Sequence, residues 1–315
     1  MDELDLKIFR ALISERQIAP SSAQVTSSLR SIAARVGADD ATVSYRYKRL
    51  QESGSLSDWQ LLINPTFFGR RLLDVMLDVQ PESAKPDMIR KLKLVGEVTG
   101  LLDFYGSALK LVVMYGSEEM RSRTIELISR ITNAESMTQI RWTLPQCKTE
   151  RLTEADAAII RALSHDARRS LSQVAKHVGL STRTARNRAG KLRTDYAVFA
   201  LPSLNMGGIP GLIPLVLSYS YSRSGVKAAV DRAMLARFAA RYISVEFADP
   251  ENAYLMLSAS TMTDIGEYQE WAKSQPGVAS VRTDILTRVM MFPEKLTELL
   301  ERRADKATVL NKTYS

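Results

Sequence analysis

Two short helical patterns meet at a glycine in the stretch Leu171-Ser-Gln-Val-Ala-Lys-His-Val-Gly179, which continues as Leu180 and Ser181-Thr-Arg-Thr-Ala-Arg-Asn-Arg-Ala-Gly-Lys-Leu192. In the first pattern the apolar residues recur at helical spacing, and Gly179 follows where a helix stop and a tight turn require a glycine. Ser181 is a typical N-cap for the next helix. Two helices joined by a short glycine-containing turn form a helix-turn-helix, which is what this stretch predicts.

The same pattern occurs earlier in the chain, so the sequence contains an internal repeat. One block of matches pairs Asp5-x-x-Ile8-x-Arg10-Ala11-Leu12 with Asp156-x-x-Ile159-x-Arg161-Ala162-Leu163, at an offset of 151 residues. The next block pairs Leu29-x-x-x-Ala33-x-x-Val36-Gly37 with the stretch from Leu171 to Gly179, at an offset of 142. The extra residues of the first copy fall in the serine-rich stretch from Ile18 to Ser28, which predicts a surface loop.

Each copy opens with three predicted helices and one strand. In the first copy the apolar stripes indicate helices from Leu4 to Leu12, from Leu29 to Val36 and from Ala41 to Glu52, the last capped by Asp39 or Asp40. A strand or wing is expected after the third helix of each copy. These strands run from Leu56 to Pro65 and from Tyr196 to Pro202.

A βαββαβ pattern follows each group of helices, as in a ferredoxin-like unit. The first unit is expected to use Leu72–Val79, Pro86–Gly96, Gly100–Tyr105, Leu109–Tyr115, Glu118–Thr132 and Thr138–Leu144. The second is expected to use Leu212–Tyr221, Val226–Tyr242, Ser244–Ala248, Ala253–Ser260, Met262–Ser274 and Val278–Leu286, followed by an amphipathic segment from Pro293 to Lys306. We therefore predict an α+β fold with two winged or three-helix helix-turn-helix domains, 1–69 and 150–211, alternating with two βαββαβ domains, 70–149 and 212–315.

Composition narrows the class of protein. Of the 315 residues, 45% are hydrophobic and 25% charged, which excludes a disordered or collagen-like chain. The N-terminal MDELDLKIFR is not a secretory signal, and the weakly charged stretch from Leu204 to Ser222 is broken by glycine and proline, so it is a poor membrane span. The lone Cys147 excludes an internal disulfide. We expect a cytoplasmic protein without a membrane segment.

The positive charge is concentrated in one part of the chain. The formal net charge is +8, and the four predicted domains carry 0, +2, +5 and +1 in chain order. An excess of positive charge spread evenly over the chain would not indicate a binding surface, whereas a local excess indicates a phosphate-binding surface. The domain with +5 is the second helix-turn-helix, so we expect double-stranded DNA as the partner.

The chain resembles the Lrp/AsnC family of transcriptional regulators. The resemblance rests on Leu29 to Gly37, Ala41-Thr-Val-Ser-Tyr-Arg-Tyr-Lys-Arg-Leu50, Glu52-Ser-Gly-Ser-Leu56, Ile63-Asn-Pro65 and, in the second copy, Leu171 to Leu192. Family members usually carry one such unit and assemble as dimers and higher oligomers. The resemblance therefore implies a covalent pseudo-dimer with two different recognition helices, which can pair further into a dimer of pseudo-dimers.

A recognition helix lies in the major groove with its N-terminal part against the base edges. Base-edge and phosphate contacts are expected from exposed positions of both copies, more strongly in the second. The expected contacts are Thr182, Arg183, Arg186, Asn187, Arg188 and Lys191 in the second copy, and Thr42, Ser44, Tyr45, Lys48 and Arg49 in the first. Arg168 and Arg169 are further candidates for phosphate contacts. The alternative for Arg46 and Arg188 is an ion pair on the helix surface.

The family's βαββαβ half often binds an amino acid, and the resemblance implies where that effector would bind. Thr99, Gly100 and Asp103 look like the family's Thr-Gly and Asp, with the carboxylate accepting the ligand's ammonium group. The alternative is that Gly100 and Asp103 only shape a hairpin.

The inventory of reactive side chains is poor, so the sequence predicts that the chain is not an enzyme and needs no metal or cofactor. The histidines, His165 and His177, both lie in the second helix-turn-helix, and no nucleophile–base or metal-ligand set can be composed. Two alternatives remain. The siroheme decarboxylases resemble this family in fold and can be fused in tandem, and an architectural DNA-binding protein would share the basic surface but show little sequence preference.

Overall fold

A computed structural model describes residues 2–13, 28–164, 166–205, 211–246 and 249–301 of the chain. The α-helices are α1 (Glu3–Ile13), α2 (Leu29–Val36), α3 (Asp40–Glu52), α4 (Lys85–Leu94), α5 (Glu118–Thr132), α6 (Glu154–Leu163), α7 (Leu171–His177), α8 (Thr182–Thr194), α9 (Lys227–Arg237) and α10 (Met262–Lys273). The strands are β1 (Leu56–Ile63), β2 (Arg71–Asp78), β3 (Val98–Phe104), β4 (Ala108–Tyr115), β5 (Met137–Arg141), β6 (Val198–Leu204), β7 (Ile213–Tyr221), β8 (Tyr242–Glu246), β9 (Asn252–Ala259) and β10 (Val278–Met291). Three helices and a strand precede a βαββαβ unit twice, so the predicted α+β fold class is confirmed.

Side-chain caps fix where the helices of the two helix-turn-helix units begin. Ser28, Asp39 and Ser181 accept backbone hydrogen bonds at the starts of α2, α3 and α8. Gly37 and Gly179, which follow α2 and α7, have φ values of 71° and 69°, a left-handed conformation that glycine adopts at little cost. The local signals in the sequence thus place these helices correctly. Most of the serine-rich loop expected from Ile18 to Ser28 lies outside the described residues.

The strands that follow α3 and α8 do not form separate wings, because β1 and β6 pair with each other in an antiparallel two-stranded sheet. In this pair Trp59 lies opposite Pro202 and Gln60 opposite Leu201. At the offset of 142 residues, Leu201 is the equivalent of Trp59 and Pro202 that of Gln60. Trp59 thus faces the equivalent of Gln60, and Gln60 faces the equivalent of Trp59. A local two-fold axis between the strands produces this reciprocal register.

The other strands form one eight-stranded sheet in the order β5-β2-β4-β3-β10-β7-β9-β8. Each half of it has the antiparallel 4-1-3-2 order of a ferredoxin-like unit, counted within that unit. The halves join where the end of β10, from Arg288 to Met291, pairs with β3. The predicted end of this strand at Leu286 is wrong, because the partner that extends it belongs to the other unit.

The eight-stranded sheet folds back on itself. On a flat sheet β2 and β9 would be about 24 Å apart, since they are five strand spacings from one another. Instead the Tyr254 hydroxyl of β9 donates a hydrogen bond of 2.8 Å to the Asp74 carboxylate of β2. The inner faces of the two halves therefore meet, with Leu102, Val216 and Leu286 in the apolar layer between them. On the outer faces α4 and α5 pack on one half, and α9 and α10 on the other.

A buried polar cluster lies in this inter-sheet layer. The Lys110 ammonium group is 3.1 Å from Asp74 Oδ2 and 4.0 Å from the centroid of the Tyr254 ring, and all three side chains are buried. Since burying a charge is costly unless it is paired, the cluster ties β2, β4 and β9 to one arrangement.

The chain after β10 returns to the first unit. Residues 294–301 are helical, and Leu296 and Leu300 are buried in the core shared with the helix-turn-helix units. The Lys295 ammonium group donates to the carbonyl oxygens of Lys93, Val95 and Val98, at and beyond the end of α4. Burial lowers the pKa of Lys295. The part of the predicted amphipathic segment beyond residue 301 lies outside the described residues.

Two further predicted boundaries are wrong. The helix expected to reach Tyr242 ends at Arg237, because the chain turns there: the amide groups of Arg241 and Tyr242 donate to the carbonyl of the buried Phe238. The strand expected from Thr138 to Leu144 ends at Arg141, where the chain departs for the second helix-turn-helix. None of the helices in the described part of the chain has the length and apolar composition that a membrane crossing requires.

The buried cluster gives the first prediction. In the Lys110→Met variant the Asp74 carboxylate keeps its burial but loses its cation, so we expect about 3–5 kcal/mol of destabilisation. Urea-induced unfolding followed by circular dichroism measures the change. The Asp74→Leu/Lys110→Met double variant removes both charges, so its free energy of unfolding should fall less than that of Lys110→Met alone. If the double variant is the less stable of the two, the pairing argument fails.

The second prediction concerns pH. The Arg282 guanidinium of β10 donates two hydrogen bonds to Asp78 of β2 and holds the pKa of that carboxyl below its usual range. Since the folded-state pKa is lowered, the stabilisation is complete above the unfolded pKa of about 4 and is lost as the pH falls through the folded value. Because the pair is partly exposed, Asp78→Asn should cost about 1 kcal/mol or less at pH 7.

Chemical denaturation of the parent chain and of Asp78→Asn, repeated from pH 7 down to pH 2, tests this linkage. The two chains should converge in stability at the acid end. A difference that stays constant over the whole pH range would rule out a titrating Asp78.

Candidate nucleic-acid interface

Helix α8 has one buried face and one exposed basic face. Ala185, Ala189 and Leu192 are buried against the rest of the helix-turn-helix unit. The helix carries five basic residues and no acidic one, whereas α3 carries three basic and two acidic residues. Since the two helices occupy equivalent places in the repeat, this difference makes α8 the more basic of the two surfaces.

The base-edge candidates of the second copy lie on the exposed face. Thr182, Arg183, Arg186 and Asn187 are exposed, as is Lys191 one turn further on. Within the part of the chain that the structure describes, no side chain forms an ion pair with Arg183, Arg186 or Lys191. Their charges are therefore available to an external anion.

Arg188, the remaining candidate in α8, is engaged within its own domain. Its guanidinium group donates to Asp156 Oδ1 at 3.1 Å and to the Thr153 hydroxyl at 2.8 Å. Burial raises the pKa of Asp156, but the hydrogen bonds from Thr153 and Arg188 outweigh burial and hold it below its ordinary value. This geometry favours the ion-pair alternative for Arg188. Arg46 of the first copy is engaged in the same way, by Asp2 and Asp5.

The candidates of the first copy are mostly paired. The Thr42 hydroxyl and backbone amide donate to Asp39, which lowers the pKa of that carboxyl. Arg49 donates to the buried Asp5 at 2.6 Å.

The Lys48 ammonium group is 3.5 Å from the Glu52 carboxylate. The other two candidates of the first copy, Ser44 and Tyr45, are exposed, and Tyr45 keeps 66% of its surface accessible. The exposed face of α3 thus offers polar groups but little unpaired positive charge.

Arg168 was expected at a phosphate but lies between the two copies. Its guanidinium carbon is 4.9 Å from the ring centroid of Trp59 and 5.1 Å from that of Tyr47. The neighbouring Ala167 amide donates to the carbonyl of Trp59. Stacking on two rings of the other copy gives Arg168 a role in joining the copies.

The candidate effector residues lie at the junction of the two sheet halves. The carbonyl oxygen of Thr99 accepts a hydrogen bond from Phe292, and the Thr99 hydroxyl donates to the carbonyl of Val112. A Cβ atom added to Gly100 would be 2.8 Å from Met291 Sδ, so the absence of a side chain there permits the close approach of β10. Both residues thus have a role in joining β3 to β10.

Asp103, the third effector candidate, is paired on two sides. Its carboxylate is 2.8 Å from the Lys85 ammonium group and 3.1 Å from the Arg288 guanidinium. Of the histidines, His177 is exposed at the end of α7, and His165 lies outside the described residues.

Sequence reasoning missed two charged groupings. One is the buried cluster of Asp74, Lys110 and Tyr254. The other consists of arginines gathered around Glu118. Apart from the helical pair of Glu118 and Arg121, the residues that they join are far apart in the sequence, so no local spacing signals these contacts.

Comparison with known proteins identifies the type of helix-turn-helix in the second copy. Residues 152–193 match the AsnC-type helix-turn-helix domain. The HTH-type transcriptional regulator Ptr1 of Methanocaldococcus jannaschii is 26% identical over 136 residues, which is 42% of this chain and 85% of that protein.

Among solved structures, the siroheme decarboxylase NirDL is similar in fold over nearly the whole chain. Its crystal structure has a TM-score of 0.56 at 12% identity, covering 96% of this chain and 99% of that one. A second structure of NirDL, in complex with an iron-uroporphyrin III analogue, has a TM-score of 0.55 at 11% identity, covering 93% and 98%. At such identities the likeness concerns the fold.

The expectation that the chain is not an enzyme is corrected by this similarity. An enzyme has the same fold over 96% of the chain, so the arrangement of domains does not separate a regulator from a catalyst. The physical reason is that function depends on the side chains placed on a fold and not on the fold itself. The chain carries an AsnC-type helix-turn-helix domain over residues 152–193, within a fold that it shares with the siroheme decarboxylase NirDL.

Proposed function

We propose that the chain is a DNA-binding transcriptional regulator in which α8 supplies most of the contact. The observation that carries the proposal is the basic, exposed face of α8. This face presents Arg183, Arg186, Asn187 and Lys191, and the helix contains no acidic residue. The AsnC-type match over residues 152–193 and the likeness to the regulator Ptr1 support it.

The side chains of α8 suit direct readout of bases. Arginine pairs bidentately with guanine and asparagine with adenine, whereas lysine and arginine farther along a helix hold phosphates. At the offset of 142 residues, the equivalents of Arg183 and Arg186 are Ala41 and Ser44. Neither can form a bidentate contact, so the two helices would read unlike half-sites.

The register of β1 and β6 supports a pseudo-dimeric arrangement of the two helix-turn-helix units. A local two-fold axis presents two recognition helices to one face of a duplex, as in two-chain regulators. Because α3 and α8 differ in sequence, the preferred site would not be a palindrome. The bound duplex would instead carry one strongly read half-site next to a weakly read one.

The third prediction tests α8. The Arg183→Ala/Arg186→Ala variant should lose at least about tenfold in affinity for the cognate duplex, because each bidentate contact contributes about 1–3 kcal/mol. Fluorescence anisotropy with the upstream region of the chain's own gene, compared with a scrambled duplex of equal length over a salt series, measures the loss.

The matched control is Ser44→Ala/Tyr45→Ala, which alters the exposed face of α3. It should reduce affinity less than the α8 variant. An equal loss in the two variants would contradict the unequal roles of the helices. Equal binding of both duplexes by the parent chain would instead indicate an architectural protein, and no binding to either at low salt would contradict the DNA-binding proposal.

A second candidate function is chemistry on a metalloporphyrin. The observation that favours it is the fold shared with the siroheme decarboxylase NirDL, for which a complex with an iron-uroporphyrin III analogue is known. The histidine content offers it no support, since neither His165 nor His177 lies in a βαββαβ half.

The fourth prediction tests this candidate. If the chain accepts such a substrate, titration of iron uroporphyrin III into the purified protein should shift the Soret absorbance band to saturation at a defined stoichiometry. The Arg183→Ala/Arg186→Ala variant is the control, because these residues lie on the exposed face of α8 and should leave the shift unchanged. A titration without a saturable shift would exclude the second candidate.

A further inference from the structure

An arginine cluster lies at one end of the first βαββαβ unit. Three guanidinium groups surround the carboxylate of Glu118, at the start of α5. The distances from Glu118 are 2.7 Å to Arg121, 3.6 Å to Arg141 and 3.9 Å to Arg71. Three cations thus share one anion, and the cluster keeps a net positive charge.

Two of the three arginines are open to solvent, whereas the side chain of Arg121 is 23% exposed. The side chains of Arg71 and Arg141 are 70% and 57% exposed, and that of Glu118 is 53% exposed. The hydrogen bond from Arg121, with the charges of Arg141 and Arg71, lowers the pKa of Glu118, so this carboxyl is ionised at neutral pH. Glu118 is therefore the anion already held by the arginines, and it offsets only part of their charge.

The position of the cluster connects it to the helix-turn-helix units. Arg71 opens β2, two residues after Gly69, which ends the turn that follows β1. Arg141 closes β5, after which the chain continues to Thr153 at the start of α6. The arginines thus lie where the sheet meets the segments leading to both DNA-binding units.

Among the described residues of the second βαββαβ unit, no such cluster lies at the equivalent place. Arg141 faces Leu73 across β5 and β2, and Ile285 faces Leu215 across β10 and β7. The first turn of α10 carries Asp264 and no basic residue. The arginines are therefore not a requirement of the fold, because the same fold forms without them.

We infer that Arg71 and Arg141, which share Glu118 with the partly buried Arg121, form a second phosphate-contacting surface, which binds the backbone of the duplex flanking the site read by the recognition helices. This inference rests on the proposed function. Exposed guanidinium groups at the edge of a sheet suit a phosphodiester backbone, which presents a row of single charges without base information. The surface adds affinity and extends the bound length, and it does so on one side of the molecule only.

The test compares two duplexes with the full chain. A short duplex of about 25 bp covers two half-sites one helical turn apart, and a long duplex adds about 20 bp of flank on each side. In the Arg71→Ala/Arg141→Ala variant the affinity for the long duplex should fall, and the slope of log K against log salt should decrease by about 2, since each lost phosphate contact contributes about 0.9. Binding to the short duplex should be unchanged.

Two further variants sharpen the comparison. Arg123→Ala/Arg130→Ala is the matched control. These arginines lie on α5, as Glu118 does, but they pair with Glu119 and Glu126 outside the cluster. It should behave as the parent chain. Glu118→Gln removes the competing carboxylate and should raise the affinity for the long duplex, the opposite sign to the arginine variant.

Three results would overturn the inference or the proposed function. If Arg71→Ala/Arg141→Ala binds the long duplex as the parent does, the inference fails while the proposed function stands. If inorganic phosphate raises the melting temperature of the parent but not of this variant, and duplex length has no effect, the surface serves a free anion and the inference fails. If the parent chain does not bind even the short duplex, the proposed function fails with it.

Discussion

The antiparallel pairing of β1 with β6 is the constraint on which the arrangement of the two helix-turn-helix units depends. Each strand follows directly after the third helix of its unit, so the register of the pair fixes how α3 and α8 are presented. Contacts across the copies reinforce the pair: the Asn64 amide donates to the carbonyl of Ala197, and Arg168 stacks on Trp59. A slip of one residue would move every side chain of a strand to the opposite face.

The order of the chain explains why the two halves of the eight-stranded sheet are not closed in the same way. After β5 the chain must reach the second helix-turn-helix, so this strand ends after five residues. By contrast, β10 runs for fourteen residues and pairs with β3 across the junction. Lys295 then caps α4 of the first unit. The segment after β10 thus adds contacts with the first unit to those made by the pairing of β10 with β3.

The sequence predicted those features whose causes are local. Helices were located by apolar spacing and by caps such as Asp39 and Ser181, because these signals act within one turn. The end of β10, the position of Arg168 and the burial of Lys110 against Asp74 could not be found, since each depends on a partner from a distant part of the chain. The candidate site shows the same division. The exposure of Arg183 and Arg186 followed from helical periodicity, whereas the engagement of Arg188 depends on Asp156, which lies in another helix.

Both strands of the β1–β6 pair belong to one chain, and this has a consequence for how the protein responds to dilution. In a regulator made of two chains, the paired helix-turn-helix units separate as the protein becomes scarce, because association follows mass action. Here the second unit is held at a high effective concentration by the intervening domain. The unit pair therefore persists at any copy number, and a substitution in α3 or in α8 alters one half of the surface without changing the other.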